Sequence, residues 1–123
     1  MITVEIHLTA RRGKQTELIQ VFGDLSRKIS EESGCINCHF YQSPENNDEL
    51  VVIEEWEDEP MARTHLESEN LAILVGASAV LTQKVSVVSG NDISTKKLKQ
   101  SFEERLVKLK TISCNQVERR NNE

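Results

Sequence analysis

Long hydrophobic runs are missing from this chain. No apolar stretch reaches the roughly 18 residues that a membrane-spanning helix needs, so no membrane partner is expected. Met1 leads straight into a strand-like pattern, without the basic and then apolar segments of an export signal, which makes the cytoplasm the expected compartment. Cysteine is sparse too. Cys35, Cys38 and Cys114 do not make a disulfide framework, and cytoplasmic thiols stay reduced. Nor is there the basic surplus that a nucleic acid would need. The net charge is −5, and residues 1–90 hold seven Lys and Arg against fifteen Asp and Glu. An acidic body of this kind opposes phosphate binding. Residues 91–123 reverse the balance, with eight basic and five acidic residues, and read as a solvated face. At 123 residues the chain suffices for one domain with a modest core.

What is present is strong periodicity. From Ile2 to Thr9 apolar and polar residues alternate, with Ile2, Val4, Ile6 and Leu8 on one side and Thr3, Glu5, His7 and Thr9 on the other, which predicts a half-buried strand. Arg11, Arg12 and Gly13 break it. Residues 14–33 place Leu18, Val21, Phe22, Leu25 and Ile29 on one helical face, and Gly34 is a natural stop. A second strand is expected over Cys35–Gln42, then a polar hairpin loop over residues 43–49, then a third strand over Leu50–Glu57. Within that third strand, Leu50, Val51, Val52 and Ile53 form a continuous apolar run. Asp58 is placed to cap a helix that has Pro60 in its first turn and carries His65. A short helix from Asn70 to Ala79, with Leu71, Leu74 and Val75 inward, precedes a fourth strand from Val80 to Ser89.

The order β, α, β, β, α, β predicts an α+β fold of the ferredoxin-like type, an antiparallel sheet with helices on one face. The other face keeps apolar residues that need a partner, and a homodimer with facing sheets supplies one. Residues 1–90 are read as this domain. In residues 91–123 a C-terminal amphipathic helix is expected, its stripe made of Leu98, Phe102, Leu106, Leu109 and Ile112. That stripe is read as a dock onto the domain or its dimer mate, followed by a polar end.

The candidate site grows from the third strand and the helix after it. Alternation sets Glu54 and Trp56 on one face and Glu55 and Glu57 on the other. Trp56 offers a flat wall, Glu54 a carboxylate open to a raised pKa by burial, and His65 a base whose ordinary pKa lies near neutrality. In isolation, capping or packing accounts for His65 equally well, core packing is the commoner role for such a Trp56, and pairing with a backbone or Arg group the commoner role for such a Glu54. His7 is assigned to the surface. Residues 35–39 spell C-x-x-C-H, the pattern of covalent haem attachment. That reading needs export, and strand alternation would send Cys35 and Cys38 to opposite faces. Two cysteines are also an incomplete metal site, so burial as small apolar residues is expected.

Gly13-Lys14, Glu32-Ser33-Gly34-Cys35-Ile36, Tyr41, Glu54-Glu55-Trp56-Glu57 and His65-Leu66, in this order and spacing, resemble the antibiotic biosynthesis monooxygenase superfamily of small dimeric α/β barrels. The resemblance covers residues 1–90. It implies a homodimer and a pocket between sheet and helices in each subunit. It implies oxidation of a quinol or a polyphenolic, polyketide-like molecule by dioxygen, with no metal, flavin or other cofactor. Its haem-degrading branch carries an Asn where this chain has Ile6, and a haem-ligating His where this chain reads Leu-Val-Gly-Ala at residues 74–77. Expected roles are catalysis for His65 and substrate binding for Trp56, Glu54 and Tyr41. The alternatives are an isomerase or lyase of a small oxygenated metabolite, which for a phosphorylated sugar would need more basic residues than Arg63, and a non-catalytic ligand-binding module.

Overall fold

The computed structural model describes residues 1–89 together with Gln100 and Glu104. Seven elements follow one another: β1 (Ile2–Ala10), α1 (Gln15–Ser30), β2 (Cys35–Gln42), β3 (Glu49–Trp56), α2 (Glu59–Leu66), α3 (Glu69–Leu81) and β4 (Thr82–Ser89). The strands form one antiparallel sheet in the order β2-β3-β1-β4, the ferredoxin-like arrangement. No helix among the described residues is long and apolar enough to cross a membrane. The expected helix of residues 91–123 lies outside the described residues, Gln100 and Glu104 apart. Those two are helical, and Gln100 Nε2 donates to Glu104 Oε1 at 3.2 Å.

Alternation in β1 decides which face is inside. Val4, Ile6 and Leu8 are buried against the helices, while His7 is exposed on the other side. β3 pairs with β1 in unbroken register from Ile2↔Trp56 to Thr9↔Glu49, so Leu50, Val52, Glu54 and Trp56 join the buried face. Val51 and Ile53 are only half-buried, on the open face. From α1 come Leu18, Phe22, Leu25 and Ile29, with the Phe22 ring stacked 6.0 Å from Phe40 of β2. From α3 come Leu71, Leu74 and Val75. Burying one large aliphatic or aromatic side chain contributes about 2 kcal/mol, and these rows together supply the core's driving force.

Three local features position the site. Asp58 caps α2, its carboxylate accepting from the Met61 N–H, as its place before Pro60 suggested. Gly34 turns the chain from α1 into β2 at a φ of +83°, and a Cβ there would lie 2.4 Å from Met61. Only glycine satisfies both conditions. At the far end, Val80 and Leu81 were expected in β4 but complete α3. The sequence suggests strand because valines crowd this stretch. The helix persists because Arg11 meets its C-terminal carbonyls: the guanidinium bonds to the carbonyls of Ala79 and Thr82, and the Arg11 N–H to that of Leu81.

β2 carries a correction. Its register with β3 shifts between Cys35 and Asn37, where Cys35 faces Trp56 and Asn37 faces Glu55. This bulge spends one extra residue, Ile36, and reverses the alternation before it. Cys35 and Cys38 therefore share the helix-covered side of the sheet, rather than opposite faces.

Candidate functional site

Strands and helices converge beneath α2. β3 presents Glu54 and Trp56. The α1–β2 connection presents Glu32. His65 comes from the last turn of α2, Ser68 is the N-cap of α3, and Asn70 stands in α3's first turn. At the centre is the His65 ring. Its Nδ1 lies 2.9 and 3.0 Å from the two carboxylate oxygens of Glu32, and its Nε2 lies 3.3 Å from Glu54 Oε1. The Trp56 indole N–H donates to that same Oε1 at 3.1 Å, and its ring packs 4.6 Å from the imidazole. Ser68 Oγ is 3.3 Å from Nδ1, and Asn70 Nδ2 donates to Glu32 at 3.2 Å.

Burial gives these contacts their strength. The side chains of His65 and Glu54 have no exposure, and that of Glu32 keeps 19%. Burial alone would lower the His65 pKa. The hydrogen bond and charge of Glu54, then those of Glu32, outweigh it and raise the pKa above the ordinary 6.5. The two carboxylates thus favour the protonated form of the ring against the cost of its burial. One acceptor is left over. Glu54 Oε1 faces both the indole and the imidazole, whereas Glu54 Oε2 is buried with no hydrogen-bond partner among the described residues. An orphaned buried oxygen costs about 1–3 kcal/mol, so it calls for an explanation beyond packing.

The two thiols share this environment. Cys38 pairs across the ladder with Glu54. Burial first, and then the Glu54 charge, push the Cys38 pKa to about 12 and that of Cys35 to about 11. Both thiols are free, and both stay protonated at neutral pH. Among the described residues, no group of three or more His, Cys, Asp and Glu side chains is arranged to hold a metal ion.

Of the residues singled out in the sequence, Glu54, Trp56 and His65 come together. Tyr41 does not. It is half-exposed on the open face of the sheet, its ring 6.0 Å from that of His39, and it lines a shallow cleft of about 230 Å³ with His7 and Val51. Glu32, Ser68 and Asn70 were missed. A signal for Glu32 was available: an acid just past the end of a helix opposes the helix dipole, so a carboxylate there needs another reason.

The sequence model of the family described as antibiotic biosynthesis monooxygenase matches residues 1–72. Solved structures share the fold. A protein of Pseudomonas aeruginosa is 21% identical with a TM-score of 0.68, over 75% of this chain and 93% of its own. A structure named antibiotic biosynthesis monooxygenase is 19% identical with a TM-score of 0.68, over 76% and 99%. A conserved protein of Methanosarcina mazei is 24% identical with a TM-score of 0.68, over 74% and 91%. At such identities the likeness shows the fold alone. No protein of curated function matches the chain. The family pattern, however, runs from β1 into α3, through more than half of the chain and through every residue of the buried cluster. The chain belongs to the antibiotic biosynthesis monooxygenase family.

Proposed function

We propose that this protein is a cofactor-independent monooxygenase that oxidises a neutral quinol, phenol or enolisable polyketide-like molecule with dioxygen. The observation that carries this reading is the unpartnered Glu54 Oε2, buried beside the Trp56–His65 stack. An unpaired buried acceptor flanked by a second carboxylate, Glu32, favours a hydroxyl donor over an anion. Trp56 supplies an aromatic wall.

Oε2 then takes the proton of the substrate O–H, and the O–H electron pair stays on the substrate as an electron-rich anion. His65, whose protonated form its two carboxylates favour, stabilises the anion in this proposal rather than acting as the base that makes it. The anion gives one electron to dioxygen. The resulting pair combines in a C–O bond, Oε2 returns its proton to the peroxide, and loss of water then leaves the oxidised carbonyl product. The balance closes for a methylene-type substrate: one methylene group and one dioxygen give one carbonyl group and one water. All three side chains are buried, so substrate binding requires α2 to shift from Gly34, against which Met61 packs.

The sugar-phosphate isomerase reading is weaker. Arg63, the basic residue nearest His65 in sequence, is paired with Glu59 one turn back on α2. The decisive experiment is oxygen uptake by metal-free protein over a panel of hydroquinones and anthrones. Uptake above autoxidation that is lost in Glu54→Gln supports the oxygenase. Tight binding of the same compounds without uptake establishes the binding-module reading instead.

The working unit in this proposal is a cytoplasmic homodimer. Val51 and Ile53 are half-buried and Tyr41 and Val88 exposed on the open face, and a second sheet covers them. Residues 1–90 carry the site in this proposal. Ile53→Glu is expected to halve the mass in solution while leaving the fold intact. A mass unchanged from wild type would refute the facing-sheet dimer.

A further inference from the structure

One member of the buried cluster sits where neither packing nor helix stability explains it. Glu32 lies just past the end of α1, where the helix dipole disfavours a carboxylate. Yet both of its oxygens lie within 3.0 Å of His65 Nδ1, and Asn70 Nδ2 clamps one of them at 3.2 Å. Its side chain is also the one among Glu32, His65 and Glu54 that reaches solvent, at 19% against none for the other two. Ser68 Oγ is near the same nitrogen, but it accepts the Leu71 N–H as the cap of α3 and carries no acid proton to trade.

We propose that Glu32 is the positioning residue of the cluster: it fixes the His65 ring through Nδ1 and is the port through which that ring exchanges its proton with water. The exchange is balanced. The Nδ1 proton passes to a Glu32 oxygen as the N–H pair returns to the ring, the carboxyl group gives that proton to water, and the reverse steps recharge the ring. Glu54 keeps its orphaned oxygen for the substrate throughout. This inference deepens the reading of the same site, but it concerns the resting protein. Among the described residues, the groups that face the ring include Glu32 and Glu54 as charges, the Trp56 indole from β3 and the Ser68 hydroxyl from α3. The Cys35 and Cys38 thiols on β2 feel the same two charges.

The test therefore uses nitrogen-15 NMR of the full chain without substrate, so that its failure is separable from a failure of the oxygenase reading. Two quantities are read: the His65 titration midpoint, and the rate at which Nδ1–H exchanges with water, compared at equal distances below each variant's midpoint. In Glu32→Gln the midpoint is expected to fall by about one pH unit, and the exchange rate about a hundredfold. Glu32→Asp, which keeps the acid one methylene short, is expected to restore part of both. Glu31→Gln, which removes an exposed charge one residue away, is expected to change neither. The proposal is overturned if Glu32→Gln matches wild type, if Glu32→Asp is indistinguishable from Glu32→Gln, or if Glu31→Gln moves the readings as far as Glu32→Gln. Should the Gln variant not fold, Glu32→Asp decides alone, and readings equal to wild type overturn the proposal.

Discussion

Two histidine–glutamate pairs lie on opposite faces of one sheet, and their geometry is nearly the same. His7 Nε2 is 3.0 Å from Glu5 on the open face, and His65 Nδ1 is 2.9 Å from Glu32 on the covered face. Their surroundings differ. The first pair has side-chain exposures of 47% and 38%, the second of 0% and 19%. Water screens the first, so its distance says little about its strength. The second has lost that screening and gained another carboxylate, an indole and a clamp. Glu54 and Glu55 repeat the lesson as sequence neighbours, one sealed under the helices and one facing outward. Chemistry in this fold follows from which face a residue takes, more than from which residue it is.

Trp56→Ala should sharpen the contrast most. It empties a fully buried indole volume and takes away a donor from Glu54, and we expect a loss of about 4 kcal/mol by urea unfolding. His65→Ala follows, at about 3 kcal/mol, because it leaves two carboxylates, one of them fully buried, without the ring they share. A cost below about 1 kcal/mol for His65→Ala would show that the buried charges are already relaxed by water, and the distinction between the faces would fail.

Dependence on pH has a definite sign. The folded pKa of His65 is raised, so its contribution to stability is fully present below the ordinary 6.5 and is lost as pH rises through the folded value. His65→Ala should flatten that slope. The thiols follow the same rule higher up. Their folded pKa values are raised from 9.0 to about 11 for Cys35 and about 12 for Cys38, so stability falls again between pH 9.0 and those values. In the folded protein both thiols should react slowly with alkylating reagents at pH 8, and fast once urea opens the core. Equal rates in the two states would mean that Cys35 and Cys38 lie at the surface.

Much of this was legible from period alone. The alternation in Ile2–Thr9 fixed the inner face of β1, and antiparallel pairing passed that choice on to Glu54 and Trp56. Asp58 and Pro60 announced the start of α2, which set His65 about two turns along that helix. The missing parts depend on non-local contacts. No proline or glycine marks the bulge at Ile36, so the shared face of the two cysteines was hidden. Glu32 and His65 are 33 residues apart, and only tertiary packing joins them. The last turn of α3 looks like strand by composition and is held helical by Arg11, about 70 residues away in sequence.

The smallest expected effect tests the premise most directly. His7→Ala removes an exposed imidazole whose partner is equally exposed, and it should cost no more than about 0.5 kcal/mol in urea unfolding. His7 also stands on the face that a second copy would cover, which gives the measurement a second use. At protein concentrations where the chain is monomeric, the loss should be negligible. Where the chain is dimeric, covering the sheet would desolvate His7 and Glu5 together, and the same substitution should begin to cost stability. A penalty that grows with protein concentration would thus place His7 inside the assembled molecule. A penalty that stays negligible at every concentration would keep it in water and exclude the sheet around β1 from the interface. A large penalty in the monomer itself would overturn the comparison, because an exposed pair would then be as strong as the buried one.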